Sequence, residues 1–228
     1  MPPPVVIASR WCHLQAVLFD LDGTLVDSAE DLARAANAMR VDRGLAPLPL
    51  AQYRPHGGSG ARGMLAQAFD VGPGQAGYDE LKRDFLDRYE GLMFDSTQPF
   101  AGVMEELQGL NTAGLAWGIV TNKAERFALP LVAALGLRAA VVVGGDTTAH
   151  TKPHPAPLLE AARRLSLPPE VCLYVGDDER DILAGRAAGM ATAAAAWGYL
   201  GARGEFAHWE ADLALHAPGD LLKALGVA

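Results

Sequence analysis

Short apolar runs recur along the chain, each ending in polar residues and each followed by a stretch with helical spacing. Residues 16–19 (AVLF) run into Asp20, 116–120 (AWGIV) into Thr121 and Asn122, 139–143 (AAVVV) into Gly144, and 171–175 (VCLYV) into Gly176 and Asp177. Residues 191–196 form an alanine-rich run and 212–215 a shorter one. Continuous apolar runs of this length, without alternation, read as strands buried on both faces of a parallel sheet. The segments at about 29–43, 103–112, 125–135, 157–165 and 181–188 read as amphipathic helices. In the first of them Leu32, Ala36 and Met39 share a face, Gly44 is a stop, and Ser28 with Asp31 predicts a capping box. Strands alternating with helices predict an α/β fold with a doubly wound parallel sheet.

Residues 20–115 separate the first strand from the second, far more than a crossover needs. Within them 78–93 (YDELKRDFLDRYEGLM) is helical and amphipathic. Residues 29–97 are therefore expected to form a small helical domain inserted over the sheet. That leaves 15–28 and 98–228 as the core domain and 1–14, with its Pro2–Pro4 run, as a tail.

Of the 228 residues half are apolar and a fifth charged, with a net charge of -8. An acidic surface disfavours nucleic acid and anionic membranes as partners. The N-terminus lacks the charged start of a signal peptide and is too short for a span, so a cytoplasmic protein, monomer or homodimer, is expected. Cys12 and Cys172 read as reduced thiols, Cys172 being a small buried hydrophobe. Five of the six histidines, His13, His150, His154, His208 and His216, show no metal-ligand spacing and read as surface or turn residues.

Ligands of an open parallel sheet bind beyond the carboxyl ends of its strands. There the first strand offers Asp20, Asp22, Gly23 and Thr24, the second Thr121 and Asn122, and the fourth Asp177, Asp178 and Asp181; Lys152 precedes the fourth. Several carboxylates in one crevice repel one another and lose solvation. A divalent cation relieves both, and Mg²⁺ takes hard oxygen ligands together with a phosphate. Lys152 offsets further negative charge, and Gly23 allows the bend that brings two acids at i and i+2 to one atom.

On these residues the chain resembles the haloacid dehalogenase-like phosphatases. Residues 20–28 (DLDGTLVDS) resemble their first motif, 121–123 (TNK) the second, Lys152-Pro153 the third and 176–181 (GDDERD) the fourth. The insert resembles the family's helical cap. The resemblance implies that Asp20 attacks phosphorus to form an aspartyl-phosphate, and that Asp22 protonates the leaving alkoxide and then activates water. It implies that Asp20, the backbone carbonyl of Asp22, and Asp177 bind Mg²⁺. Thr121, Asn122 and Lys152 would hold the phosphate, with Thr24, Asp27, Asp178 and Asp181 supporting them, Asp181 by orienting Lys152 or a metal-bound water. Family members that displace halide lack the second acid, so Asp22 implies an oxygen leaving group.

Residues 19–28 (FDLDGTLVDS), 120–123 (VTNK), 152–155 (KPHP) and 197–199 (WGY) resemble the phosphoglycolate phosphatase branch. Residues 39–45 (MRVDRGL), 114–118 (GLAWG) and 208–212 (HWEAD) resemble N-acetylmuramic acid 6-phosphate phosphatases. A small organic phosphate ester is the implied substrate, and a phosphomutase of the same fold is the competing reading. A binding module that has kept the fold but lost catalysis would not need both Asp20 and Asp22. Arg54, His56, Gly57, Gly58, Ser59, Gly60 and Arg62 form the most polar part of the insert. They are read either as a substrate-contacting loop, with Arg54, Ser59 and Arg62 as binding residues and an arginine gripping a carboxylate bidentately, or as a hinge. Trp197 and Tyr199 line the crevice or pack behind it.

Overall fold

A computed structural model describes residues 11–201 and 205–227. The chain opens with β1 (Ala16–Phe19) and the short β2 (Val26–Asp27). It then leaves the sheet through α1 (Ala29–Asp42), α2 (Leu50–Tyr53), a 3-10 turn (Arg54–Ser59), α3 (Gly60–Phe69) and α4 (Tyr78–Leu92). It returns through β3 (Gln98–Pro99), which pairs antiparallel with β2 and ties together the two strands of chain that lead to the insert. From there α5 (Val103–Thr112), β4 (Ala116–Val120), α6 (Glu125–Ala134), β5 (Val141–Val143), α7 (Ala156–Leu165), β6 (Cys172–Gly176), α8 (Glu179–Ala187), β7 (Ala191–Ala195), β8 (Leu213–Leu215) and α9 (Asp220–Leu225) follow.

The main sheet runs β5-β4-β1-β6-β7-β8, and every pairing in it is parallel. The chain fills one side of β1 and then crosses to fill the other, so the order reverses between β1 and β6, where open α/β sheets bind ligands. Phe19 is in register with Ile119 on one side and Val175 on the other, so the strands end level. Asp20, Thr121 and Asp177 consequently leave the sheet at one rim.

Burial explains the unbroken apolar runs. Val17 and Phe19 pack on one face with residues of α5, α6 and α9, while Ala16 and Leu18 pack on the other with α7 and α8. The tail expected over 1–14 ends too late: Trp11 and Leu14 are buried in the first of these clusters, and residues 1–10 of that segment lie outside the described ones. The fifth and sixth runs are strands as expected, and β5 is shorter than its apolar run because Ala140 only begins the pairing, donating to the Trp117 carbonyl.

The helices α1–α4 enclose their own apolar cluster, built around Met39, Tyr53, Met64, Phe85 and Tyr89, and Phe127 of α6 joins it from below. The capping box predicted for α1 does not form. Ser28 makes no cap bond, because its hydroxyl donates to Asp22. The buried Asp31 carboxylate instead accepts from the Ser96 and Thr97 amides and the Thr97 hydroxyl. A carboxylate with several donors satisfies its burial, and here it pins the returning chain to the start of α1. Both cysteines are free, Cys12 exposed and Cys172 buried. No helix among the described residues is long and apolar enough to cross a membrane.

Candidate active site

The loop after β1 turns back on itself, with Gly23 at φ +93°. A side chain there would be strained and would also collide: a Cβ on Gly23 would lie 2.2 Å from Asp177 Oδ2. This close approach lets two acidic stretches far apart in sequence share one crevice. Thr24 Oγ1 donates to Asp177 Oδ1 at 2.9 Å, and the Tyr199 amide donates to Asp177 Oδ2 at 2.8 Å. Trp197 donates to the Thr24 carbonyl and Tyr199 Oη accepts from the Ser28 amide, so both aromatic residues brace the loop from behind.

Asp20 and Asp22 sit two residues apart but have separate cationic partners. Asp20 Oδ1 is 2.9 Å from Lys152 Nζ and accepts from the Leu21 amide at 2.8 Å. Lys152 Nζ is also 2.7 Å from Asp181 Oδ1 and donates to Tyr174 Oη, which in turn donates to the Val120 carbonyl. Burial opposes the charge on Lys152, but Asp181 and Asp20 outweigh it and hold the ammonium above its ordinary pKa. Asp22 receives Lys123 Nζ on both oxygens, at 2.9 and 3.0 Å, and the Ser28 hydroxyl on one. Lys123 is held above its ordinary pKa in the same way, against burial, chiefly by Asp22. Its ammonium also stands 4.8 Å from the centre of the Tyr89 ring, which comes from α4.

Asp20, Asp177 and Asp181 each bring a carboxylate oxygen within 4.8 Å of the others, all buried. Burial raises Asp177 well above the ordinary carboxylate range, with Asp20 and Asp181 adding to the effect. Burial likewise pushes Asp181 up to about 6, although Lys152 works against it. This is a surplus of buried negative charge with hard oxygen donors, and a divalent cation fits it. The Asp22 carboxylate is turned to Lys123 and Ser28, so what Asp22 can offer a metal is its backbone carbonyl; the third carboxylate of the cluster is Asp181.

The supporting residues have structural partners as well. Asp178 caps α8 by accepting from the Arg180 amide, and Asp181 completes the capping box. Asp178 also pairs with Arg180, whose guanidinium reaches across to the Gly58 carbonyl of the insert at 2.9 Å. Asn122 exchanges side-chain bonds with the backbone of Lys152, donating to its carbonyl at 3.0 Å and accepting from its amide at 2.9 Å. Thr121 Oγ1 accepts from the Lys123 amide. These bonds fix the lysine-bearing loop beside the end of β4.

A cavity of about 580 Å³ opens over this rim, within the size range of small-molecule sites. Its lining includes Asp20, Asp22, Thr121, Asn122 and Lys152 from the core and Ser59 and Arg62 from the insert. Arg54 is not on it: its guanidinium pairs with Asp27 at 2.8 Å and lies over the Tyr199 ring. The glycine-rich stretch is helical, not an open loop, and Gly57 is there because a Cβ would lie 2.6 Å from the Tyr199 ring. Lys123, Ser28 and Tyr89 are the contacts sequence reasoning missed. Lys123 had a signal, since it directly follows Thr121-Asn122, whereas Tyr89 looked like any apolar position of an amphipathic helix. Among buried side-chain polar atoms of the described residues, only Tyr89 Oη lacks a hydrogen bond.

A profile of the haloacid dehalogenase-like hydrolases matches residues 17–195, and the chain belongs to that family. Relatives matched over nine-tenths of its length are phosphatases. It is 50% identical over 209 residues to a phosphoglycolate phosphatase of Xanthomonas campestris pv. campestris (strain 8004), covering 91% of this chain and 94% of the relative. It is 42% identical over 215 residues to an N-acetylmuramic acid 6-phosphate phosphatase of Pseudomonas aeruginosa, covering 93% and 95%. The crystal structure of a predicted phosphoglycolate phosphatase from Haemophilus somnus 129PT superimposes with a TM-score of 0.82 at 28% identity, covering 92% of this chain and 97% of that one.

Proposed function

We propose that the protein is a Mg²⁺-dependent phosphatase that hydrolyses a small phosphomonoester through an aspartyl-phosphate on Asp20. The observation that carries this is the meeting of Asp20, Asp22, Thr121 and Lys152 on one cavity, beside the buried acids Asp177 and Asp181.

The Asp20 carboxylate attacks phosphorus, the bond to the leaving oxygen breaks, and Asp22 gives that oxygen a proton. Water then attacks the aspartyl-phosphate, losing its proton to Asp22, and Asp20 is restored. Thr121 Oγ1, the Asn122 amide and Lys152 hold the phosphate oxygens, and Asp181 keeps Lys152 aimed at Asp20. Asp20, Asp177 and the Asp22 carbonyl would hold Mg²⁺, with Asp181 beside them. The bound ion supplies positive charge against the phosphate oxygens. Residues 29–97 act as a cap over the site.

Phosphoglycolate is the first substrate to test, given the 50% identical relative, and N-acetylmuramic acid 6-phosphate the second. The deciding experiment is phosphate release from a panel containing both, with hexose phosphates and nucleotides, in Mg²⁺ and in EDTA. Stoichiometric phosphate release that EDTA stops and Mg²⁺ restores is expected. Turnover indifferent to chelation would remove the metal, and isomerisation without phosphate release would make the protein a mutase.

A further inference from the structure

The charged residues lining the cavity divide into two sets. Asp20 and Asp181 share Lys152, Asp22 has Lys123, and Asp178 has Arg180. Arg62 of α3, Lys82 of α4 and Arg126 of α6 line the same cavity, are exposed, and have no carboxylate partner among the described residues. In a chain of net charge -8, cations left over from three separate helices on one cavity imply an anion that arrives from outside.

The phosphate is not well placed to be that anion, because the groups at the sheet rim already face it. Lys82, Phe85, Leu86 and Tyr89 follow at i, i+3, i+4 and i+7, so α4 turns one face to the cavity. The Tyr89 end of that face touches Lys123 and so lies at the rim. Lys82 sits two turns away, roughly 10 Å along the helix axis, with the partly exposed Leu86 between them, while Phe85, Tyr89 and Phe127 are buried behind that face. A substrate that reaches from the rim to Lys82 spans about that distance and carries a second charge at its far end. A two-carbon acid, with bonds of about 1.5 Å, is too short to span it.

We infer that Lys82, Arg126 and Arg62 are specificity-determining residues for a second anionic group, a carboxylate, on a leaving alcohol of sugar size. The inference rests on the phosphatase reading above and names the substrate class of that same site. The cations recognise the carboxylate by charge-assisted hydrogen bonds.

The test compares kcat/KM for N-acetylmuramic acid 6-phosphate and N-acetylglucosamine 6-phosphate, esters that differ by the carboxylate-bearing lactyl ether. The wild-type enzyme is expected to favour the acidic sugar by about tenfold or more and to turn it over better than 2-phosphoglycolate. The Lys82→Gln/Arg126→Gln double variant should bring the ratio of the two sugar esters below about 3, and Lys82→Glu should lower it further. Equal use of both sugars by the wild-type enzyme would overturn the inference. So would a fall by the same factor for both in the variants, which would make these cations attractors of phosphate. Better turnover of 2-phosphoglycolate than of the acidic sugar would overturn it too. Those results leave the phosphatase reading standing. That reading falls, and the inference with it, only if the wild-type enzyme releases phosphate from no ester of the panel.

Discussion

On the sheet side of the cavity, the lining carboxylates have cationic partners within hydrogen-bond reach, and those partners are themselves held. Lys152 is 4% exposed and touches Asp20, Asp181 and Tyr174. On the helical side, Arg62, Lys82 and Arg126 are exposed and without carboxylate partners. The first wall is organised before the substrate arrives, as a group that must act on a developing charge requires. The second leaves its charges unmatched, so the ligand completes them. On the proposed reading, chemistry and recognition fall on separate elements, which meet through Lys123–Tyr89, Phe127–Tyr89, Arg180–Gly58 and Arg54–Asp27 among other contacts.

If the sheet wall holds the chemistry, Asp20→Asn should lower kcat by at least ~10³-fold while leaving the thermal midpoint unchanged or raised, since it removes one of several clustered charges. Phosphate-release kinetics and calorimetry check both. Activity near wild type would end the covalent mechanism and the distinction between the walls with it. Lys152→Met comes next, with a fall in kcat of about 10²–10³-fold. It leaves Asp20 and Asp181 buried without their cation, and a loss of roughly 3 kcal/mol in urea unfolding is expected.

The buried acids give the sheet wall a pH signature. Asp177 and Asp181 have folded pKa values above their unfolded ones. Between ordinary carboxylate pH and neutrality the folded state therefore binds more protons than the unfolded chain, so stability in EDTA falls as pH rises through that window. Mg²⁺ binds the ionised acids and should cancel the fall, which melting curves from pH 4 to 8 with and without the ion would show. A flat profile in EDTA would mean that the acids are compensated without metal. The smallest effect is expected at the Arg54–Asp27 pair. Arg54 and Asp27 are 37% and 36% exposed, and a pair so solvated contributes about 0–1 kcal/mol. Arg54→Ala should then change activity by less than about 3-fold, equally for every ester. A selective loss on one substrate would move Arg54 into the recognition wall.

Most of the sheet wall was legible in the chain, because strand ends are where apolar runs stop. Asp20, Thr121 and Asp177 each follow such a run, and parallel strands in register carry them to one rim. The helical wall was less legible. Arg54 and Arg62 stand in the same polar stretch, yet one faces Asp27 and Tyr199 and the other the cavity, a difference set by helix phase within the 3-10 turn and α3. Ser28 looked like a cap and is a donor to Asp22. Tyr89 followed the apolar period of α4 and meets Lys123 only because the insert lies over α6.

What the sequence determined by itself is the alternation of strands and helices in the sheet-bearing part of the chain and the identity of the acids that follow the strand ends. Each of these follows from local periodicity and from where a buried strand must stop. Only the tertiary structure decided which cation serves which acid, that Asp181 and not the Asp22 side chain joins Asp20 and Asp177, and which insert residues face the cavity. Those are contacts between segments remote in the chain, and their geometry depends on how the insert packs on the sheet, which local patterns do not encode.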